Sequence, residues 1–460
     1  MAEQPVVPVS RFLDERGLTS FHIALMAWTV MLALIDGYDI AAIAVASPHL
    51  IRDWHLANRS ALGPVLSASL IGILFGSAIF GWIGDRYGRK VALISSNLLF
   101  GAFTWIAAYA TNLDQMFWLR LIAGLGIGGV IPNVVAINAE SAPRRLRATL
   151  ALVTVGCVPL GGAFPGIVAD IWGPTHGWQI IFLIGGIVPV VVALAAIFGL
   201  AESIKFMTLH ESHRGRLVRL MKTLKPDFVV PPNAKFVIED EHQFPGFNPV
   251  YLFREGLAVI TPLLWLLFAL NLMGFFFLLS WTPTLLVAAK LPLSTAGLAI
   301  SSLQVGGTVG ALLMARWFER HQFLAISLVF LISVPVVAAI GYAGVSSVPA
   351  LMIVTFFAGF CVLGVQTGIN VVGALVYPTS LRANGSGWEL GIGRIGSIVG
   401  PLVGALFVGM PVQHLYIWSS LPFLAGAIVC FIIHRLNQAR LRERPYLVHP
   451  TVQQPVEAAE

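Results

Sequence analysis

Apolar stretches separated by short polar turns run through the chain from end to end, and their lengths point to a fold. Residues 60–84, 91–113, 121–139, 149–169 and 256–289 carry no charged side chain. Each approaches or exceeds the roughly 20 residues that a helix needs to cross about 30 Å of hydrocarbon. Residues 322–381 are also uncharged but too long for one crossing, and GYAGVSSVP at 341–349 supplies a turn that makes two of them. The last apolar block divides in the same way near 409–413. The pattern predicts an all-α integral membrane protein of twelve transmembrane helices, the first beginning near Ser20. An even number of crossings leaves both termini on one side.

A slower repeat underlies this pattern. The longest polar stretch falls between the sixth and seventh crossings and divides the chain into a first six-helix half at 1–201, a cytoplasmic linker at 202–255, a second six-helix half at 256–434 and a cytoplasmic tail at 435–460. At an offset near 235 residues the halves coincide: Ala123-Gly124 with Ala358-Gly359, Gly129-Val130 with Gly364-Val365, Pro143 with Pro378, and Leu146-Arg147-Ala148 with Leu381-Arg382-Ala383. Asp36 falls on Asn271, and Gly156 and Gly161 on Gly391 and Gly396. One residue less sets Gly72 and Gly76 on Gly306 and Gly310, and Asp85-Arg86 on Glu319-Arg320. A preference of packed helices for small residues explains coincident glycines but not Leu-Arg-Ala or Asp-Arg. Two pseudo-symmetric halves place a substrate site at their interface near the membrane centre, exposed alternately as the halves rock.

Composition agrees with a lipid solvent: 57% of residues are hydrophobic, 11% are charged, and the mean hydropathy is +0.83. Most of the 28 Lys and Arg fall in one set of loops, with Arg52, Arg59 and Lys290 in the other. Because Lys and Arg resist translocation, this bias predicts a multi-pass protein of the cell inner (plasma) membrane with both termini cytoplasmic. Scattering over many turns also accounts for the basic balance without nucleic acid. The first helix lacks a convincing cleavage site and reads as retained. Cys157, Cys361 and Cys430 lie in predicted helices and read as buried thiols, with neither metal nor cofactor expected. A monomer in the bilayer is the expected state.

Five ionisable residues fall inside predicted crossings: Asp36, Asp39, Arg120, Glu389 and Arg394. Each costs roughly 2.5–3.5 kcal/mol at a helix centre on insertion scales and so asks for a reason. By helical rise, Asp36 lies about 24 Å from the cytoplasmic boundary and Arg120 about 7 Å below the outer one, at similar heights. Asp36 and Asp39 share a helix face, and two carboxylates so close in a low dielectric do not both stay ionised easily, which suits a proton carrier. Arg120 is their natural counter-ion. Arg394 falls near mid-membrane, where a fixed guanidinium suits an anionic substrate. Tyr38, between the acids, suits an aromatic ligand. Asn133, Asn271, Gln304 and Glu389 are further candidates for the wall of the site. No nucleophile and base pairing or phosphate loop appears, so no catalytic residue and no enzyme is expected.

Motifs sharpen the reading. Gly84-Asp85-Arg86-Tyr87-Gly88-Arg89-Lys90 resembles the cytoplasmic signature loop of the major facilitator superfamily, and Arg120 to Gly129 (RLIAGLGIGG) resembles its fourth-helix motif. Asp36-Gly37-Tyr38-Asp39 resembles the first-helix signature of the aromatic acid:proton symporter family, and Arg394-Ile-Gly-Ser-Ile-Val-Gly-Pro401 its eleventh-helix segment. The resemblance implies a proton-coupled symporter that imports small aromatic carboxylic acids such as hydroxybenzoates. It gives Asp36, Asp39 and Arg120 to proton coupling, Arg394 to the substrate carboxylate, and Asp85, Arg86 and Arg89 to a cytoplasmic gate. Rival expectations are a porter for sugars or other organic anions, which Ala201-Glu202-Ser203 faintly suggests, and a transporter-like chemoreceptor.

Overall fold

A computed structural model describes residues 6–224, 235–237, 249–254, 256–377 and 381–443. Much of the 202–255 linker, most of the 435–460 tail and Pro378 therefore lie outside the described residues. The first half is built from α2 (Ser20–Asp53), α3 (Leu62–Tyr87), α4 (Arg89–Ala107), α5 (Leu113–Ser141), α6 (Arg147–Gly162), α7 (Phe164–His176) and α8 (Gln179–Gly199). The second half holds α11 (Ile260–Ala288), α12 (Leu293–Ser346), α13 (Val348–Val376), α14 (Arg382–Phe407), α15 (Val412–Ser419) and α16 (Leu421–Glu443).

Among the described residues, 11 helical stretches are long and apolar enough to cross a bilayer. One of them is double. α12 runs 54 residues, far beyond a single span, and turns back at Gln322, where φ is 45° and ψ is −130°. The fifth crossing is α6 and α7 in series, and the twelfth is α15 and α16. The expected start at Ser20 and the expected turn near 341–349 both coincide with helix ends.

Backbone contacts bear out the repeat. A Cβ at Gly72 or Gly76 of α3 would overlap the carbonyls of Leu121 or Leu125 on α5. In the second half Gly306 and Gly310 stand in the same relation to Phe356 and Phe360. Gly161 meets the carbonyl of Leu34, and Gly396 that of Ala269. Without water between helices, close packing of small residues is what holds membrane helices together, so these seams set the helix spacing in both halves.

Beyond the bundle, a short parallel pair joins β1 (Val6–Pro8) to β2 (Lys235–Val237). With α1 (Val9–Arg16), α9 (Ile204–Leu209) and α10 (Arg214–Leu224) it encloses a small apolar core of Val7, Phe12, Leu13, Met207, Leu217 and Met221. The segment before the first crossing is thus packed against the linker, which the polar composition of 202–255 did not lead one to expect.

The halves meet closely at the end of the bundle away from the N terminus. There Gly63 abuts Ala405 and Gly166 abuts Gly297. Ser67 Oγ donates to the Ile398 carbonyl at 3.0 Å, and Ser301 Oγ to the Ala163 carbonyl at 2.5 Å.

Candidate functional site

Helical geometry turns successive residues by about 100°, so four neighbours on α2 address four different partners. Gly37 packs against α6, where any Cβ would overlap the Val158 carbonyl. Tyr38 turns toward α8 and donates its hydroxyl to the Ile181 carbonyl at 3.0 Å. Asp39 faces α4 and α5, and Asp36 faces the second half.

Asp39 and Arg120 form a fork-to-fork pair in which both side chains are 0% exposed. Nη1 donates to Oδ1 at 3.0 Å and Nη2 to Oδ2 at 2.6 Å, while Nη2 also reaches the Asp39 carbonyl at 3.2 Å. Thr104 donates to the same Oδ1 at 2.7 Å, and the guanidinium lies over the Phe182 ring at 5.7 Å. Planar bidentate geometry with added hydrogen bonds is what makes a buried pair tolerable. The pair locks α2, α4 and α5 together, and it fully engages the Asp39 carboxylate.

Asp36 has no such partner. It is 2% exposed, and among the described residues its Oδ1 accepts no hydrogen bond. Among the described residues, a cation in electrostatic reach is Arg394 on α14, across the interface, and the two do not close into an ion pair. Arg394 is half-buried. The acids read together from the sequence therefore divide: Asp39 belongs with Arg120 inside the first half, and Asp36 belongs with Arg394 between the halves.

The other candidates are dispersed. Gln304 of α12 crosses to the first half and lies against Gly162, close to the Gly37 carbonyl, with Oε1 buried and unpartnered among the described residues. Asn271 is tied within the second half, donating to Gln366 Oε1 at 2.8 Å and to the Val362 carbonyl at 3.3 Å. Asn133 sits lower, bridging α5 to α3 through the Gly129 and Phe80 carbonyls at 2.8 Å and 3.1 Å. Glu389 is 1% exposed and packs against Gly373 of α13, away from Arg394. Among the described residues, the hydrogen bonds of Tyr38, Asn133 and Asn271 and the packing contact of Glu389 are thus made to groups other than Asp36 and Arg394, whereas Gln304 packs beside the Gly37 backbone.

The signature loop makes a polar cluster of its own. Arg89 Nη2 lies 2.6 Å from Asp85 Oδ1 and 2.9 Å from Glu140 Oε1. Ser203 Oγ donates to Glu140 Oε2 at 2.5 Å. Glu202 Oε1 accepts from the Lys90 backbone at 3.1 Å and from the Ser203 backbone at 2.8 Å, capping α4, and burial pushes its carboxyl above the usual carboxylate range. Arg86 stands apart, its guanidinium 5.7 Å from the Trp82 ring. Glu140 and Thr104 were not singled out by sequence. Glu140 had a signal, as the first acid after an apolar run, whereas a threonine in a membrane helix is too common to stand out.

Comparison with known proteins adds the lineage. The family model of the Major Facilitator Superfamily matches residues 29–340. The 4-hydroxybenzoate transporter PcaK of Pseudomonas aeruginosa is 32% identical over 403 residues, covering 87% of this chain and 90% of its own length. A gallate transporter of Pseudomonas putida is 29% identical over 460 residues, 98% of this chain and all of its own. Among solved structures, the inward open conformation of the xylose transporter XylE from E. coli superposes with a TM-score of 0.68 at 16% identity, covering 88% of this chain and 95% of that one. Motifs, duplicated helices and these likenesses agree, and the chain belongs to the major facilitator superfamily of multi-pass membrane transporters, not to any class of enzyme.

Proposed function

We propose that this protein is a proton-coupled symporter that imports small aromatic carboxylic acids such as hydroxybenzoates across the cell inner membrane by alternating access. Relatives at about 30% identity over most of the chain are named as transporters of 4-hydroxybenzoate, gallate and benzoate, which supports the substrate class. The observation that carries the mechanism is the division of the two acids. Asp39 is held by Arg120, while Asp36 keeps a buried oxygen that is unpartnered among the described residues and has Arg394 of the other half in electrostatic reach.

In this reading Arg394 binds the substrate carboxylate as a fixed cation. Asp36 carries the proton: ionised, it competes with the substrate for the field of Arg394, and protonated, it leaves Arg394 free for the substrate. Proton and acid are thereby bound together and released together. Asp39 and Arg120 hold the proton site in position. Asp85, Arg86 and Arg89 belong to the gate on the side of the termini, which lies in the cytoplasm, and the functional unit is a monomer of two halves joined by the 202–255 linker.

Uptake into proteoliposomes under an imposed inward proton gradient tests the reading, with labelled 4-hydroxybenzoate, protocatechuate, benzoate and a hexose offered in turn. Accumulation of the aromatic acids and not of the hexose is expected. Hexose uptake without acid uptake would overturn the assignment. Binding of an aromatic acid without accumulation would make the protein a receptor.

A further inference from the structure

Of the five ionisable residues inside the crossings, Glu389 has no task in the Asp36–Arg394 or Asp39–Arg120 arrangements. Arg394 follows it by five residues on α14, about 140° round the helix, so the two side chains leave α14 on different sides. Glu389 turns into the second half. Both of its carboxyl oxygens lie against α13, where a Cβ at residue 373 would stand, and Gly373 is what admits them. α11 and α13, which enclose this side of α14, carry no Asp, Glu, Lys, Arg or His along their length. Among the described residues Glu389 closes no ion pair, and its Oε1 is buried without a hydrogen-bond partner.

The polar groups on the same side are left open as well. Ser386, one turn earlier on the face of α14 that bears Glu389, has a buried Oγ with no partner among the described residues. So do the hydroxyl of Tyr377, which closes α13 and lies in electrostatic reach of Glu389, and the indole N–H of Trp265 on α11. Trp265 stands beside Tyr377 and stacks on Trp388 with ring centroids 6.1 Å apart. Next to Tyr377, Arg440 of α16 donates to the Val376 carbonyl at 3.1 Å. Buried polar groups nearly always find a hydrogen bond, so three open ones around a buried acid mark the place. A carboxylate ion without a cation or a donor is too costly to keep there, whereas the uncharged carboxylic acid is tolerated. On the other side of α14, a Cβ at Gly387 or Gly391 would meet nothing, so the turn that carries Glu389 is packed from one side and has room to shift. By helical rise, Glu389 lies about 10 Å from the start of α14 at Arg382 and about 7.5 Å short of Arg394, toward the side of the gate.

We propose that Glu389 is a second proton site, loaded from outside and discharged to the cytoplasm once in each cycle, so that two protons enter with each aromatic acid anion. The proposal rests on the symport reading and adds a stoichiometry to it. One anion with the single proton of Asp36 moves no net charge; one anion with two protons moves one positive charge inward. When α14 shifts toward its open side, the Glu389 carboxyl gives its proton to cytoplasmic water and becomes a carboxylate. It takes a proton from the outer side before the pocket closes again, because the closed pocket offers the ion no partner. Proton release is thereby tied to the movement of the helix that also carries Arg394.

Uptake of labelled 4-hydroxybenzoate by the full-length protein in proteoliposomes, corrected for protein-free vesicles, tests this with two separate drives. The first is an inside-negative potassium diffusion potential at equal pH, and the second an inward proton gradient without a potential. A potential of about 60 mV is expected to raise accumulation by the parent up to about tenfold, the limit for one net charge. Glu389→Gln, which keeps the shape of the uncharged acid, should lose the response to potential and still accumulate under the proton gradient, which also shows that it folds. Glu389→Asp should restore part of the response to potential. A parent that accumulates under the proton gradient but ignores the potential would overturn the second site and leave symport in place. A full response to potential in Glu389→Gln, or loss of both drives in that variant, would overturn it too. Failure of the parent under either drive would overturn the underlying reading and this proposal with it.

Discussion

Two carboxylates three residues apart on one helix have unlike environments, and the difference decides which one can change charge. Asp39 accepts two guanidinium hydrogen bonds and one from Thr104, so neutralising it leaves Arg120 buried and uncompensated. Arg120→Gln is expected to lower the stability of the folded transporter by about 3–5 kcal/mol, read by thermal unfolding in detergent. The double variant Asp39→Asn with Arg120→Gln, which removes both charges, should recover part of that loss. An additive double variant would contradict the pairing. Asp36 is expected to behave differently: Asp36→Asn keeps the shape of the side chain but cannot cycle a proton. It should retain exchange of internal for external substrate in counterflow and lose accumulation driven by a proton gradient. Loss of both together would make Asp36 a structural residue, and loss of neither would place the proton elsewhere.

At the scale of helices, glycine seams fix where these side chains stand. Gly72 and Gly76 let α3 lie directly on α5, so a larger side chain must push α3 away from the helix that carries Arg120. Gly72→Leu is expected to cost about 1–3 kcal/mol, the range for overpacking, and to reduce transport. Gly156→Ala, at a site with open space around it, should stay within about 0.5 kcal/mol of the parent. Equal effects of the two would contradict the seam. These seams were legible in the sequence, because the same glycines recur at a fixed offset and the duplicated spacing could be checked residue against residue. The partners of the buried charges were legible only in part. Helical rise put Asp36, Asp39 and Arg120 at one height, but rise says nothing of rotation about the axis. A difference of three residues was enough to send Asp39 to Arg120 and Asp36 to the opposite half. Rotation also took Tyr38 to a backbone carbonyl on α8, and Asn133 and Glu389 to packing contacts within their own halves.

For the molecule as a whole, the lipid solvent made the count of crossings readable, since a water-soluble chain seldom carries uncharged runs of spanning length. The cap on the linker was not readable, because its core draws on residues as far apart as Val7 and Met221 and each contributing segment is short and mixed in polarity. The closed end of the bundle was equally hidden, being made of small residues from both halves. Gly63→Cys with Ala405→Cys, in a chain whose native cysteines are replaced by serine, is expected to form a disulfide across that end and to stop transport until reductant is added. Unimpaired transport by the cross-linked protein would show that the end need not open. The most direct test of the central claim is the proton itself. A pH-sensitive dye sealed inside proteoliposomes should report acidification when 4-hydroxybenzoate is added outside in the absence of a gradient, and Asp36→Asn should abolish the signal. Uptake of the acid with no acidification in the parent protein, or full acidification in the variant, would contradict it.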